Sequence, residues 1–324
     1  MKTEAHTLKI GLAYFVIASA VLLIAYVFPG QDESLSSVPI LVSLFSLIPL
    51  YAWFRTYKRK RELSKDLIAT YKGEAVFWVF ALFLLAMFVR IPSVLIFGVP
   101  FEKTPVIFLT ISTIVVIEKT NPATFGFTTR KLGKSLLYGV SFFLTLNILA
   151  TVTSYLLIYN LTSKIAFETF NPIVFLSVLP FMTLCVGICE EGLFRGYIQT
   201  HLGKVFTVTG AIFAQAVLFG AWHFIWNLSP FDPFSMVQYV LTTFYIGSFF
   251  GYFYSKTRNL TPLILAHGLW DSVSLGIVEN QPAFEALAKT SSLAQLLVFV
   301  LPYAVAALLT YVFIRYLVKK LDSN

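Results

Sequence analysis

Apolar runs of about 17–25 residues follow one another along the chain, each long enough to cross the hydrocarbon of a bilayer as a helix. A backbone in lipid must satisfy its own hydrogen bonds. Runs that neither break nor alternate do so as helices, not as barrel strands. Composition agrees: 57% of residues are hydrophobic and only 12% are charged, where a soluble domain carries about 25% charged residues. The fold class expected is all-α, a polytopic membrane helix bundle of about eight to ten transmembrane helices.

The expected spans fall near residues 9–28, 38–54, 75–99, 105–117, 135–159, 172–190, 208–228, 235–254, 260–278 and 293–314. The fourth is short. The stretch "RIPSVLIFGVP" predicts that the third is broken or ends early. The tract "EKTNPATFGFTTRKLGKSLLYGV" reads as a turn and then an interfacial helix entering the fifth span. The first span follows lysines, as a signal peptide does, but it is long and lacks an evident small-residue cleavage site, so it is expected to remain as an anchor.

Basic residues orient such a bundle. All of the 24 lysines and arginines except Arg90, Lys103, Lys164 and Lys289 fall on one side of these spans. The expected arrangement is a multi-pass protein of the cell membrane with both termini in the cytoplasm. The formal charge of +8 is explained by topology and attraction to anionic lipid, and calls for no nucleic-acid partner. Cys185 and Cys189, the two cysteines, lie one helical turn apart inside the sixth span and read as reduced core residues.

Ionisable groups inside spans are costly and mark candidate functional sites. Here they are Arg90, Glu190, Glu191, His223, His267 and Asp271. Glu191 and Arg195, at i,i+4, can meet on one helix face as an ion pair. Glu190 points about 100° away, with Val186, Gly187, Leu193 and Phe194 as its helix neighbours, and has no cation there. A carboxylate so placed suits a general acid or base. An interhelical polar knot is the bland alternative. In "LFGAWHF", Gln215, Phe219 and His223 share a face; in "HGLWD", His267 and Asp271 do. His6 and His201 have no such company.

Three motifs in order, "EEGLFR", "FGAWH" and "HGLWD", resemble those of the CAAX protease and bacteriocin-processing family, also called the Abi family of intramembrane proteases. The resemblance covers roughly residues 125–280, which would form the catalytic core. Residues 1–72 would be a two-helix membrane segment with a basic loop, 73–124 connecting membrane helices, and 281–324 a last membrane helix with a basic tail. The resemblance implies an endopeptidase without a cofactor. Glu190 and His223 would activate water, and His267 and Asp271 would line the oxyanion site. Glu191 and Arg195 would hold the first pair in place. An ionised Asp271 cannot donate to an oxyanion, so it is assigned to charging and orienting His267. The implied substrates are prenylated C-termini, processed peptides or membrane proteins.

Other readings stay open. Glu190, His223 and His267 could ligate zinc with one position free. A non-catalytic immunity or scaffold protein would need the Glu191–Arg195 pair and neither histidine. A transporter would use buried Glu and His as proton relays, although no internal repeat is evident. The span boundaries also set a conflict. They put Glu190 and His267 in the cytoplasmic half and His223 near the far end, unless the sixth helix continues past "EEGLFR" and the seventh starts deeper.

Overall fold

The computed structural model describes residue 13 and residues 37–60, 62–65, 72–97, 102–279 and 281–322. Apart from residue 13, the first expected span lies outside the described residues, as do Lys2, His6 and Lys9. The chain runs through α1 (Ser37–Lys60), α2 (Lys72–Phe97), α3 (Lys103–Ser112, with a π-helical turn Thr113–Ile117) and α4 (Leu132–Thr162). Then come α5 (Pro172–Leu202), α6 (Val208–Trp222), α7 (Pro233–Thr257), α8 (Thr261–Gly276), α9 (Gln281–Ala288) and α10 (Ser292–Asp322). The described chain is helical except for short connections and one pair of three-residue strands. Six helices are long and apolar enough to cross a membrane, and Lys103–Ile117 is a shorter apolar helix. Large apolar side chains such as Phe88 (77% exposed) and Leu308 (71%) cover the outside, as lipid-facing positions require. This is an integral membrane protein.

Local chemistry sets the helix starts. Asn171 accepts from the N–H groups of Ile173 and Val174 with Pro172 following; Asp232 does the same for Phe234 and Ser235 before Pro233. An Asx cap followed by proline satisfies donors that a helix leaves unpaired and fixes the first φ. Two expectations are corrected. α2 runs through Pro92 to Phe97 instead of breaking at "RIPSVLIF". A 3-10 turn at Pro122–Phe125 leads into α4 at Leu132, with no separate interfacial helix between them.

Two apolar cores flank the middle of the bundle. One packs Trp53, Phe83, Val106, Leu193, Phe194 and Trp222 from α1, α2, α3, α5 and α6. The other packs Phe142, Phe250, Phe253, Leu263 and Ala306 from α4, α7, α8 and α10. Between them α5 and α8 run antiparallel. Strand β1 (Glu168–Phe170), just before α5, pairs with β2 (Ile277–Glu279), just after α8, and the Asn171 N–H donates to the Gly276 carbonyl at 2.8 Å. Glycines let these helices approach closely. A Cβ on Gly187 would lie 2.6 Å from the Ile264 carbonyl oxygen, and one on Gly268 would lie 2.2 Å from Thr183 Oγ1. Backbones brought this close give α8 one register against α5.

Candidate active site

The helix α5 does not end at residue 190. It continues through "EEGLFR" to Leu202, which puts Glu190 roughly 18 Å from its basic end, inside the hydrocarbon. π-helical segments at Met182–Gly187 and Glu191–Gln199 flank it, a distortion often found where helices carry functional groups. The helix α6 starts at Val208, as expected and not deeper. The helix that starts deeper is α8: Pro262 packs on Gly139, two turns into α4, so that a Cβ there would lie 2.6 Å from the Pro262 carbonyl oxygen. A longer α5 and an inset α8 bring Glu190, His223 and His267 together and remove the conflict of depth.

Glu190 stands at the centre. Its Oε1 accepts from Lys103 Nζ at 2.5 Å and from Trp222 Nε1 at 2.9 Å. Its Oε2 is buried, has no hydrogen-bond partner among the described residues, and faces two imidazoles. His267 Nε2 lies 3.4 Å from it and His223 Nε2 lies 3.7 Å from it. His223 is placed at the C-terminal end of α6, where its Nδ1 meets the Phe219 carbonyl at 2.8 Å. A carbonyl only accepts, so Nδ1 carries a proton there, and in a neutral ring Nε2 is the accepting nitrogen.

His267 is gripped on its other edge. Its Nδ1 donates to Glu191 Oε1 at 2.7 Å, and the same oxygen accepts from Arg195 Nη1 at 3.0 Å. Asp271 Oδ2 lies 3.5 Å from His267 Nε2 and is partly exposed. Asp271 therefore shares His267 with two glutamates, and the shorter contact is to Glu191. Adjacent in sequence and about 100° apart on the helix, the two glutamates reach opposite edges of one ring. Arg195 is fully buried, with its guanidinium carbon 4.1 Å from the Phe219 ring centre and 5.1 Å from that of Phe250. The amide of Gln215 donates to the Gly247 carbonyl at 2.8 Å and so ties α6 to α7.

The sequence offers Glu190 no cation among its helix neighbours one turn away and sets Lys103 in a loop on the non-cytoplasmic side. The structure places Lys103 on α3, buried and against Glu190. Arg90, from α2, pairs with Glu102, which also lies 3.0 Å from Lys103. Arg90 Nε donates to the Trp222 carbonyl at 3.1 Å, and its guanidinium carbon lies 4.3 Å from that indole's ring centre. Arg90, Glu102, Lys103 and Trp222 thus form a second layer behind Glu190. The signal available in sequence was the adjacent charge pair "EK" ahead of a short apolar helix, with Arg90 alone in a span. His201 lies apart from this site, with Nε2 3.1 Å from Glu118 and its ring stacked on Phe125. Cys185 and Cys189 are free and buried.

Residues 172–273 match the family model described as Rce1-like, type II CAAX prenyl endopeptidase Rce1-like. This agrees with the resemblance to the CAAX protease and Abi family drawn from the three motifs. The matched segment contains Glu190, Glu191, Arg195, His223, His267 and Asp271, and does not reach Arg90, Glu102 or Lys103. No curated protein and no solved structure matches the chain.

Proposed function

We propose that this protein is an intramembrane endopeptidase in which Glu190 activates water. The observation that carries the reading is the asymmetry of the Glu190 carboxylate. One oxygen is held by Lys103 and Trp222; the other faces the Nε2 atoms of His223 and His267. A carboxylate oriented in this way is prepared to take a proton from a water that also donates to His223 Nε2.

The steps balance. Water attacks the scissile carbonyl carbon and gives one proton to Glu190 Oε2. His267, carrying both ring protons, donates Nδ1–H to Glu191 and Nε2–H to the oxyanion of the tetrahedral intermediate. Glu190 then returns its proton to the leaving amine as the C–N bond breaks. Preorganised donors at the oxyanion supply much of the acceleration in such sites. Arg195 holds Glu191, Glu191 holds His267, and Asp271 supports the ring from its Nε2 side. Lys103 acts through Glu190 as a positioning residue.

Zinc held by Glu190, His223 and His267 is the second reading. Among the described residues no group of three or more His, Cys, Asp and Glu side chains is arranged to hold a metal ion, and Glu190 Oε1 already accepts from an ammonium and an indole. The substrate class favoured by the family description is a prenylated C-terminal peptide, reached from the bilayer. The basic flanks of the spans support cytoplasmic termini and action on substrates presented from that side.

The test uses the purified full chain in bilayer nanodiscs and water labelled with heavy oxygen. A prenylated C-terminal peptide, its unprenylated counterpart and a single-span membrane peptide are each incubated with it. We expect cleavage of the prenylated peptide, with one labelled oxygen in the new carboxylate and no protein adduct. Absence of hydrolysis for all three would refute the peptidase reading.

A further inference from the structure

A second polar feature lies at the start of α4 and the end of α7. A cavity of about 470 Å³ is lined by Arg130, Lys131 and Lys134 from one side and by Lys256 and Arg258 from the other. No acidic residue among the described residues lines it. Among the described residues no carboxylate pairs with any of the five cations. We propose that this cavity binds the phosphate group of an anionic membrane phospholipid.

Three independent features converge there. The first is charge: five cations round one hollow, with no carboxylate paired to them among the described residues. Topology asks for basic residues near span ends, but it does not ask that they surround a common cavity free of acids. The second is the start of α4, a 31-residue helix whose N-cap, Lys131, provides no side-chain cap. Its first N–H groups and the positive end of its dipole remain available to an anion.

The third feature is position at the membrane surface. The span of α4 begins at Leu132 beside the cavity, and exposed Leu132, Leu136, Leu137 and Val140 cover the other faces of its first turns, so the cations stand at the level of lipid headgroups. The cavity is also built. Asn259 Nδ2 donates to Ser135 Oγ at 2.8 Å, and Thr261 Oγ1 donates to the Thr128 carbonyl at 2.6 Å. These bonds fasten the α7–α8 turn to the start of α4, so the two sets of cations are held across from one another.

The experiment places the full chain in nanodiscs of phosphatidylcholine, with or without phosphatidylglycerol, and reads retained lipid by native mass spectrometry. Wild type should retain phosphatidylglycerol over phosphatidylcholine. The triple variant Lys131→Gln, Lys134→Gln, Lys256→Gln should lose that preference by roughly five-fold per cation removed. The control Lys164→Gln, Lys289→Gln removes two charges elsewhere and should keep it. Lys134→Glu, at a first-turn residue that lines the cavity, guards against a folding artefact. An acid in the first turn favours the helix yet repels phosphate, so lipid retention should fall while the melting temperature holds. Equal retention in wild type and the cavity variants, or equal loss in the control, would overturn the proposal. Inorganic phosphate that stabilises wild type but not the triple variant, with no preference for phosphatidylglycerol, would identify a free anion as the ligand and overturn the lipid assignment.

Discussion

Lys103 sets its ammonium 2.5 Å from Oε1 of Glu190, although 87 residues separate them and only Glu190 lies in the family-matched segment. The pair is buried on both sides. Removing one partner of such a pair leaves an uncompensated charge in a low-dielectric site. The ammonium also fixes which carboxylate oxygen faces the histidines. A misplacement of about 1 Å in a catalytic group can cost on the order of 10²-fold in rate.

Lys103→Gln should therefore lower kcat by roughly 10²-fold while changing KM little, because Lys103 touches Glu190 and not the substrate. Lys103→Arg should recover part of the rate by restoring the charge. Steady-state kinetics on the two purified variants check this. Equal kcat for Gln and wild type would remove Lys103 from the account.

Glu191 Oε1 serves Arg195 and His267 at once. Glu191→Gln leaves a buried guanidinium without its counter-ion and should destabilise the protein by about 3–5 kcal/mol. Arg195→Gln added to it should restore much of that stability without restoring turnover, since His267 still lacks its carboxylate. Melting temperature and activity measured on single and double variants separate the structural part of the interaction from the catalytic part.

Asp271 lies 3.5 Å from His267 Nε2. Asp271→Asn should keep substantial activity, because an amide can support the ring or donate to the oxyanion itself. Asp271→Leu should lose most of it, although the side chains are similar in volume. Turnover is to be compared at equal melting temperature. If Leu matches Asn, the third motif reduces to His267.

How much of this was legible follows from the range of the forces involved. Glu191–Arg195 was visible because i,i+4 places both on one helix turn. The grouping of Glu190, His223, His267 and Asp271 came from motif order, and its depth was misjudged because hydropathy does not show where a helix ends when polar residues are buried. "EEGLFR" reads as a span end, yet all six residues are buried on a continuing helix. Lys103 was misplaced for a related reason. A lysine next to an apolar run counts as a loop cation in any charge rule, and only packing of α3 against α5 turns it inward. The register of α8 was encoded in Gly187 and Gly268, which hydropathy passes over.

Metal dependence divides the two mechanistic readings. Exhaustive chelation should leave turnover unchanged, and metal analysis of active protein should find zinc well below one per chain. Activity lost on chelation and restored by zinc alone would transfer the role of Glu190, His223 and His267 to metal ligation.

In this mechanism the Oε2 atom of Glu190 takes the proton from water. Glu190→Gln keeps the side chain's shape and one acceptor for Lys103 and Trp222, but has no base. Cleavage of the prenylated peptide by the purified variant is the measurement, with its melting temperature and bilayer insertion recorded alongside. A folded variant slower by about 10²–10⁴-fold is the predicted result; a folded variant that cleaves at the wild-type rate would contradict the account.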